Sequence, residues 1–286
     1  MTRDVQLLLI DPQNDFCDLP PAYIAGQVGP ALPVPGAHAD MQRVAALIKS
    51  AGASFSSISV TLDSHHRLDI AHPTFWTDQA GGEVAPFTEI TAADVRAGSY
   101  RPRDPASAER ALVYLDRLEA AGRYRLMIWP GHCEMGPWGH AVHADVQAAL
   151  DEWSATSGNK VNEVVKGTNP WTEHYSAILA EVPDAQDATT QLNQPLIDLL
   201  ARADCIYIAG EASSHCVRAT TEHLVDNLQL DQIARVVLVT DCMSPVTGFA
   251  AQHAQFIASM QARGVRTASA AEVSQELDPT LRRTAA

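Results

Sequence analysis

The sequence predicts an α/β fold with a six-stranded, mainly parallel sheet and helices on both faces. Two observations carry this reading. Short apolar, β-branched runs recur along the chain, and stretches with helical spacing lie between them. No internal repeat or low-complexity segment competes with that alternation. Residues 5–10 read as a buried strand, followed by a helix over 39–51 and a second strand over 56–62. A helix over 108–121 precedes a third strand at 126–129, and a helix over 141–153 precedes a short fourth strand at 163–165. A helix over 195–203 leads into a fifth strand at 205–209. A helix over 216–227 leads into the sixth at 236–240, and a helix over 250–262 follows. The whole chain, 1–286, reads as a single domain. Residues 73–124 are too long for a βα connection and read as an insertion carrying one helix. The tail after Glu276 reads as polar and frayed.

Composition narrows the function. Of 286 residues, 46% are hydrophobic and 19% charged, and the net charge is −14. With no basic run, nucleic acid is not an expected partner. The first residues lack a signal-peptide core, and no apolar stretch reaches the roughly 18 residues of a membrane span, so no membrane association is expected. Five cysteines, at 17, 133, 205, 216 and 242, form no Cys-x-x-Cys pair. An odd, scattered set argues against a disulfide framework and for a reducing, cytoplasmic setting.

Ligands of open parallel sheets bind beyond the carboxyl ends of the strands, so the residues that follow each predicted strand are informative. They are Asp11; Asp63 with His65; His132; Lys166; and a Gly210–Cys216 loop that opens a helix. Cys216 is a candidate nucleophile, because a helix N-terminus and a nearby Lys166 both favour its thiolate. Asp11 is placed to move a proton between the thiol and a leaving amine. Asp63, His65 and His132 are the ligand types of a zinc or iron site, with His72 as a fourth ligand or a supporting contact. His66 reads as a bystander. His140 and His143, three residues apart on a predicted helix, form a rival pair.

These motifs, in this order, resemble the nicotinamidases of the isochorismatase-like cysteine hydrolases. The matching stretches are Leu9-Ile10-Asp11-Pro12-Gln13-Asn14-Asp15-Phe16-Cys17, Asp63-Ser64-His65 with His72, Trp129-Pro130-Gly131-His132-Cys133, Val165-Lys166-Gly167, Gly210 to Arg218, and Asp241-Cys242-Met243-Ser244. The resemblance spans roughly residues 5–270. It implies the three-layer isochorismatase-like fold, an Asp11–Lys166–Cys216 triad and a thioester intermediate. It also implies a cis peptide between Glu211 and Ala212, and an oxyanion hole formed by the N–H groups of Ala212 and Cys216. Phe16, Trp129 and Tyr175 stand where that family packs a substrate ring. A divalent metal on Asp63, His65 and His132 is implied, zinc first, with iron or manganese as alternatives. The implied reaction is nicotinamide to nicotinate and ammonia. The alternatives are another small amide, such as a maleamate, ureido or carbamoyl compound, and an isochorismatase-type hydrolase.

Two departures bear on the substrate. After Cys133 comes Glu134-Met135-Gly136-Pro137-Trp138 in place of the family's Val-x-Gly-Thr, and the segment between His72 and Trp129 is longer than usual. Both ends of that insertion are tied to the metal motif, so it reads as a lid or an interface, with the lid, in which Phe75 and Trp76 narrow the pocket, as the first expectation. Its helix carries an apolar face of Ala111, Leu112, Leu115 and Leu118. Oligomeric state is not readable from the sequence, and a homo-oligomer stays open.

Overall fold

The first strand, β1 (Val5–Ile10), is buried at every position. A run with one polar residue and no polar face belongs at the centre of a sheet covered on both sides. A computed structural model describes residues 3–24 and 26–278. Its further strands are β2 (Ser57–Asp63), β3 (Trp76–Asp78), β4 (Thr88–Ile90), β5 (Tyr100–Pro102) and β6 (Leu126–Ile128). They continue with β7 (Asn162–Lys166), β8 (Cys205–Gly210), β9 (Val236–Val239) and β10 (Arg266–Ala268). The helices are α1 (Pro21–Ile24), α2 (Ala37–Ala51), α3 (Ala92–Ala97), α4 (Ala108–Ala121) and α5 (Ala144–Ser157). After them come α6 (Gln194–Ala201), α7 (Cys216–Asp226), α8 (Leu230–Ile233), α9 (Ala250–Ala262) and α10 (Ala270–Leu277).

Six strands make the main sheet in the order β10-β9-β8-β1-β2-β7, and every pairing in it is parallel. From β1 the chain steps outward to β2, whereas from β8 it steps the opposite way to β9. Right-handed crossovers then put α2 and α7 on opposite faces. In agreement, α2 packs with α5 and α10, while α7 packs with α9. The strand order reverses between β1 and β8, and the crevice beyond their carboxyl ends is where this topology offers a site. Close approach there depends on Gly210 (φ +121°). A Cβ at that position would lie 2.0 Å from the Ile10 carbonyl oxygen.

The six-strand count holds, but its membership differs from the sequence reading. The 126–129 run is not a strand of this sheet: β6 pairs antiparallel with β4 in a separate ribbon. Leu126 and Ile128 are buried and Met127 is only half-buried, the alternation of a strand with one covered face. Periodicity reports that face and not the partner, and the place beside β2 is taken by β7. The sixth strand is β10, whose Arg266-Thr267-Ala268 carries no apolar run because it is an edge with partial exposure.

The insertion is also richer than one helix. It holds α3, which has a Thr91–Asp94 capping box, as well as α4 and a β3–β5 ribbon. On α4, Ala111, Tyr114, Leu115 and Leu118 are buried. Phe75 and Trp76 do not narrow a pocket. Trp76 is fully buried, with its indole N–H donating to the Ile70 carbonyl at 2.6 Å, and Phe75 meets Trp171 edge-on. Of the tail expected to fray after Glu276, Leu277 ends α10, and the part beyond Asp278 lies outside the described residues.

Candidate active site

The carboxyl end of β1 delivers Asp11 with φ +44°. Its N–H and one carboxylate oxygen are both held by Thr61 of β2, at 3.0 Å and 2.5 Å. The end of β7 delivers Lys166. Its ammonium lies 2.9 Å from Asp11 Oδ2, 3.0 Å from Asp63 Oδ1, 3.1 Å from the His174 carbonyl and 3.7 Å from Cys216 Sγ. The β8–α7 loop delivers Cys216 as the first residue of α7. Asp11, Asp63 and Cys216 each offer an atom within 4.8 Å of the others. The three residues of the expected triad are therefore brought together and buried.

The electrostatics correct one expectation. Burial pushes the Cys216 thiol well above its ordinary value; Lys166 opposes this, and Asp11 and Asp63 add to it. Lys166 therefore lowers the thiol pKa without bringing it below normal, and the resting sulfur holds its proton. Asp11 is also raised by burial, against the pull of Lys166. Lys166 itself stays charged, because Asp11 and Asp63 outweigh its burial.

Beside the triad, Asp63 Oδ2 lies 3.0 Å from His65 Nε2 and 3.4 Å from His132 Nε2. His72 joins them, with its Nε2 3.3 Å from His132 Nδ1, and the ligand atoms of His65, His72 and His132 lie within 4.8 Å of one another. His65 Nδ1 is 2.9 Å from Asp69 Oδ2, a carboxylate that fixes the ring and leaves Nε2 for a metal. Burial, with His132 and His65 adding to it, drives the His72 pKa down to about 2, whereas Asp63 and Asp69 outweigh burial and raise that of His65. The buried His72 Nδ1 has no hydrogen-bond partner. Three imidazoles, one carboxylate and an orphaned ring nitrogen fit a divalent metal. The rival pair does not converge: His140 Nε2 meets Ser64 Oγ at 2.7 Å, whereas His143 Nε2 meets His38 Nδ1 at 2.9 Å. His66 is exposed.

Sequence reasoning passed over several residues that hold these groups. Gln13 clamps the backbone of Asp63, with Nε2 on its carbonyl and Oε1 on its N–H, both at 2.8 Å. Asp15 accepts the Cys133 N–H at 2.7 Å, and Asp69 accepts the Ala71 N–H at 2.9 Å. Gln13 and Asp15 stand in the motif around Asp11, but nothing in their identity says which turn they hold. His132 reaches the site because its turn is laced to the Asp63–His72 segment. Trp129 N–H donates to the Ala71 carbonyl at 2.8 Å and His65 N–H to the Cys133 carbonyl at 3.0 Å.

The peptide between Glu211 and Ala212 is cis. Among the described residues, neither the Ala212 N–H nor the Cys216 N–H donates to another protein group. Around them, Phe16 meets His132 edge-on at 5.3 Å, and the Trp129 indole donates to the Tyr175 hydroxyl at 3.0 Å. Trp129, Tyr175 and Phe249 each pack on His215, with ring centroids 4.7–5.3 Å apart. From the insertion and its exit come Phe87, edge-on to Trp129 at 5.9 Å, and Tyr124, stacked on His215 at 6.2 Å. A cavity of 180 Å³ lined by Tyr124, Tyr175, Ser214, His215, Arg218 and Phe249 opens beside the 211–215 loop.

With this geometry in place, solved structures supply the comparison. A nicotinamidase/pyrazinamidase of Acinetobacter baumanii is similar at a TM-score of 0.60 and 18% identity, covering 95% of this chain and 98% of that one. A protein of L. infantum in complex with nicotinate gives 0.57 and 19%, covering 95% of each chain. The pyrazinamidase of Pyrococcus horikoshii in complex with zinc gives 0.55 and 18%, covering 93% and 99%. The chain shares their fold. No protein-family model and no curated protein matches the sequence. No helix among the described residues is long and apolar enough to cross a membrane.

Removing the Lys166 charge tests the geometry directly. Lys166→Met is expected to move the pH midpoint of Cys216 alkylation by iodoacetamide upward, since the cation favours the thiolate. It is also expected to destabilise the fold by about 3–5 kcal/mol in urea titrations, because two buried carboxylates lose their partner. An unchanged alkylation midpoint counts against the Lys166–Cys216 contact.

Proposed function

We propose that the chain is a cysteine amidohydrolase that converts a small amide, nicotinamide first, to a carboxylate and ammonia. The observation that carries this reading is the buried Lys166 ammonium, which touches Asp11, Asp63 and Cys216 together. Nicotinamidases and pyrazinamidases share the fold, and the L. infantum neighbour holds nicotinate. The proposed route starts with Cys216 passing its proton to Asp11 as sulfur attacks the amide carbon. The oxygen, now negative, lies against the N–H groups of Ala212 and Cys216. Asp11 returns the proton to nitrogen, the C–N bond breaks, and ammonia leaves a thioester. Water, deprotonated by Asp11, opens the thioester and releases the acid and the thiol. Throughout, Lys166 keeps its charge and orients Asp11. A thiol that waits protonated makes this transfer to Asp11 part of the attack.

Asp63, His65, His72 and His132 would hold a divalent metal, which we assign as zinc in keeping with the P. horikoshii neighbour. When bound, it would offer a Lewis-acid anchor for a ring nitrogen or a water. Phe16, Trp129 and Tyr175 would pack the substrate ring. Isochorismatase-type chemistry needs neither metal nor thiol and leaves these groups unused. A second amide substrate is the reading favoured by Phe87 and Tyr124, which set insertion side chains against the pocket aromatics.

Cys216→Ala is expected to lower ammonia release from nicotinamide by at least about a thousandfold while leaving circular dichroism unchanged. A variant keeping a tenth of wild-type activity would sink the thioester route. Asp63→Ala and His132→Ala are expected to lose bound metal in elemental analysis, and to raise KM more than they lower kcat if the metal anchors substrate. Wild-type protein purified without chelator and found metal-free would refute the site. Phe87→Ala is expected to change the order of kcat/KM across nicotinamide, pyrazinamide and maleamate. An unaltered order removes the insertion from substrate selection.

A further inference from the structure

The nucleophile loop is tied to the loop after β9 by a ladder of hydrogen bonds. Gly210 N–H donates to the Cys242 carbonyl and Ser213 N–H to the Ser244 carbonyl, both at 2.9 Å. Val246 N–H donates to Ser214 Oγ at 3.1 Å. The remaining rung is a side chain: Glu211 Oε2 accepts the Ser244 N–H at 3.1 Å. Glu211 is fully buried, and its other oxygen, Oε1, meets no donor. Ser244 continues the chain, its hydroxyl donating to Asp40 Oδ2 at 2.5 Å. Asp40, in the first turn of α2, is paired through Oδ1 with Arg43, which also contacts the Asp241 carbonyl. Two buried carboxyl groups thus meet at Ser244, and the arginine pairs with Asp40 alone.

That arrangement is short of one positive charge, and a proton held between the carboxyls supplies it. Asp40 has both oxygens engaged and an arginine beside it. Glu211 has the free oxygen and is the member that takes the proton. Burial, with Asp40 next to it, pushes the Glu211 carboxyl well above the ordinary glutamate value. The other titratable groups facing it, the Cys17 thiol and the Asp18 carboxylate, bring no positive charge. The peptide plane that begins at the Glu211 Cα carries the Ala212 N–H. It is pinned on one side by the Glu211 N–H on the Ile10 carbonyl at 2.8 Å. On the other side, the Ala212 carbonyl accepts from His215 and Val217 at 3.0 and 3.1 Å. The carboxyl fixes the third direction.

We propose that Glu211 and Asp40 share one proton, and that this acid–carboxylate pair makes Glu211 the positioning residue for the Ala212 N–H at the reacting carbonyl. The positioning half rests on the amidohydrolase reading, whereas the proton pair does not. Both are tested on the purified full-length chain. The infrared difference spectrum of wild type minus E211Q at neutral pH is expected to show the C=O stretch of a protonated carboxylic acid, and its absence overturns the pair. With an amide that the wild type hydrolyses, E211A is expected to lower kcat about tenfold or more with KM within about twofold, and E211Q to recover most of that loss. Wild-type kcat in E211A overturns the positioning role, as does a KM-only effect. Should E211A fail to fold, E211D, which draws the carboxyl back from Ser244, must show the same loss in kcat, and an unchanged kcat overturns the role. A wild type inactive on every amide refutes the reaction proposed above, and the infrared result then decides the proton pair by itself.

Discussion

The site depends on one buried cation. Lys166 carries its charge into an interior that excludes water, where an unpaired ammonium costs several kcal/mol. Asp11, Asp63 and the His174 carbonyl make it tolerable. The same contacts are what make it useful. Asp11 is oriented, Asp63 is held as a carboxylate for the histidines, and Cys216 has a cation within 3.7 Å. Burial works against the Asp63 charge, yet His65, Lys166 and His132 together hold its pKa well below the usual range. One ammonium thus couples Cys216 to the histidine cluster around Asp63. No single member can change charge without cost to the others.

This coupling explains why the surrounding loops are so heavily hydrogen-bonded. Positions fixed to a few tenths of an ångström by charge must also be fixed by backbone, or the pair relaxes apart. Thr61 pins Asp11, Gln13 pins Asp63, Asp15 pins the Cys133 turn and Asp69 pins His65. On the other side of the crevice, Ser244 holds the 211–215 loop through Glu211. Apart from Asp69, which braces His65 within one loop, each support comes from a different strand end or loop from the group it holds, so the parallel sheet acts as the common reference for them.

The cysteine shows where a local argument fails. A helix N-terminus and a lysine are features that lower a thiol pKa, and both are present at Cys216. The burial that brings them together also raises the pKa, and it is the larger effect. The direction follows from how completely the sheet, α7 and the aromatic cluster exclude water. That is a property of the assembled molecule.

The sequence alone determined the strand-end residues, because a parallel sheet places whatever follows each strand on one rim. Asp11, Asp63, Lys166 and Cys216 were legible for that reason, as was the helix that begins at Cys216, read to 227 and ending at Asp226. Strand partnership was not legible. The 126–128 run has the alternation of a strand, but only tertiary structure gives it β4 as a partner and gives the sheet its edge in Arg266–Ala268. The occupants of the pocket wall were decided in the same way. Phe75 and Trp76 look like lid residues by position and are core by packing, whereas Tyr124 lines the cavity beside His215 and the exposed Phe87 meets Trp129 edge-on. Local pattern encodes which face of a segment is apolar. Which neighbour covers that face depends on contacts between residues far apart in the chain, and these exist only once the fold has closed.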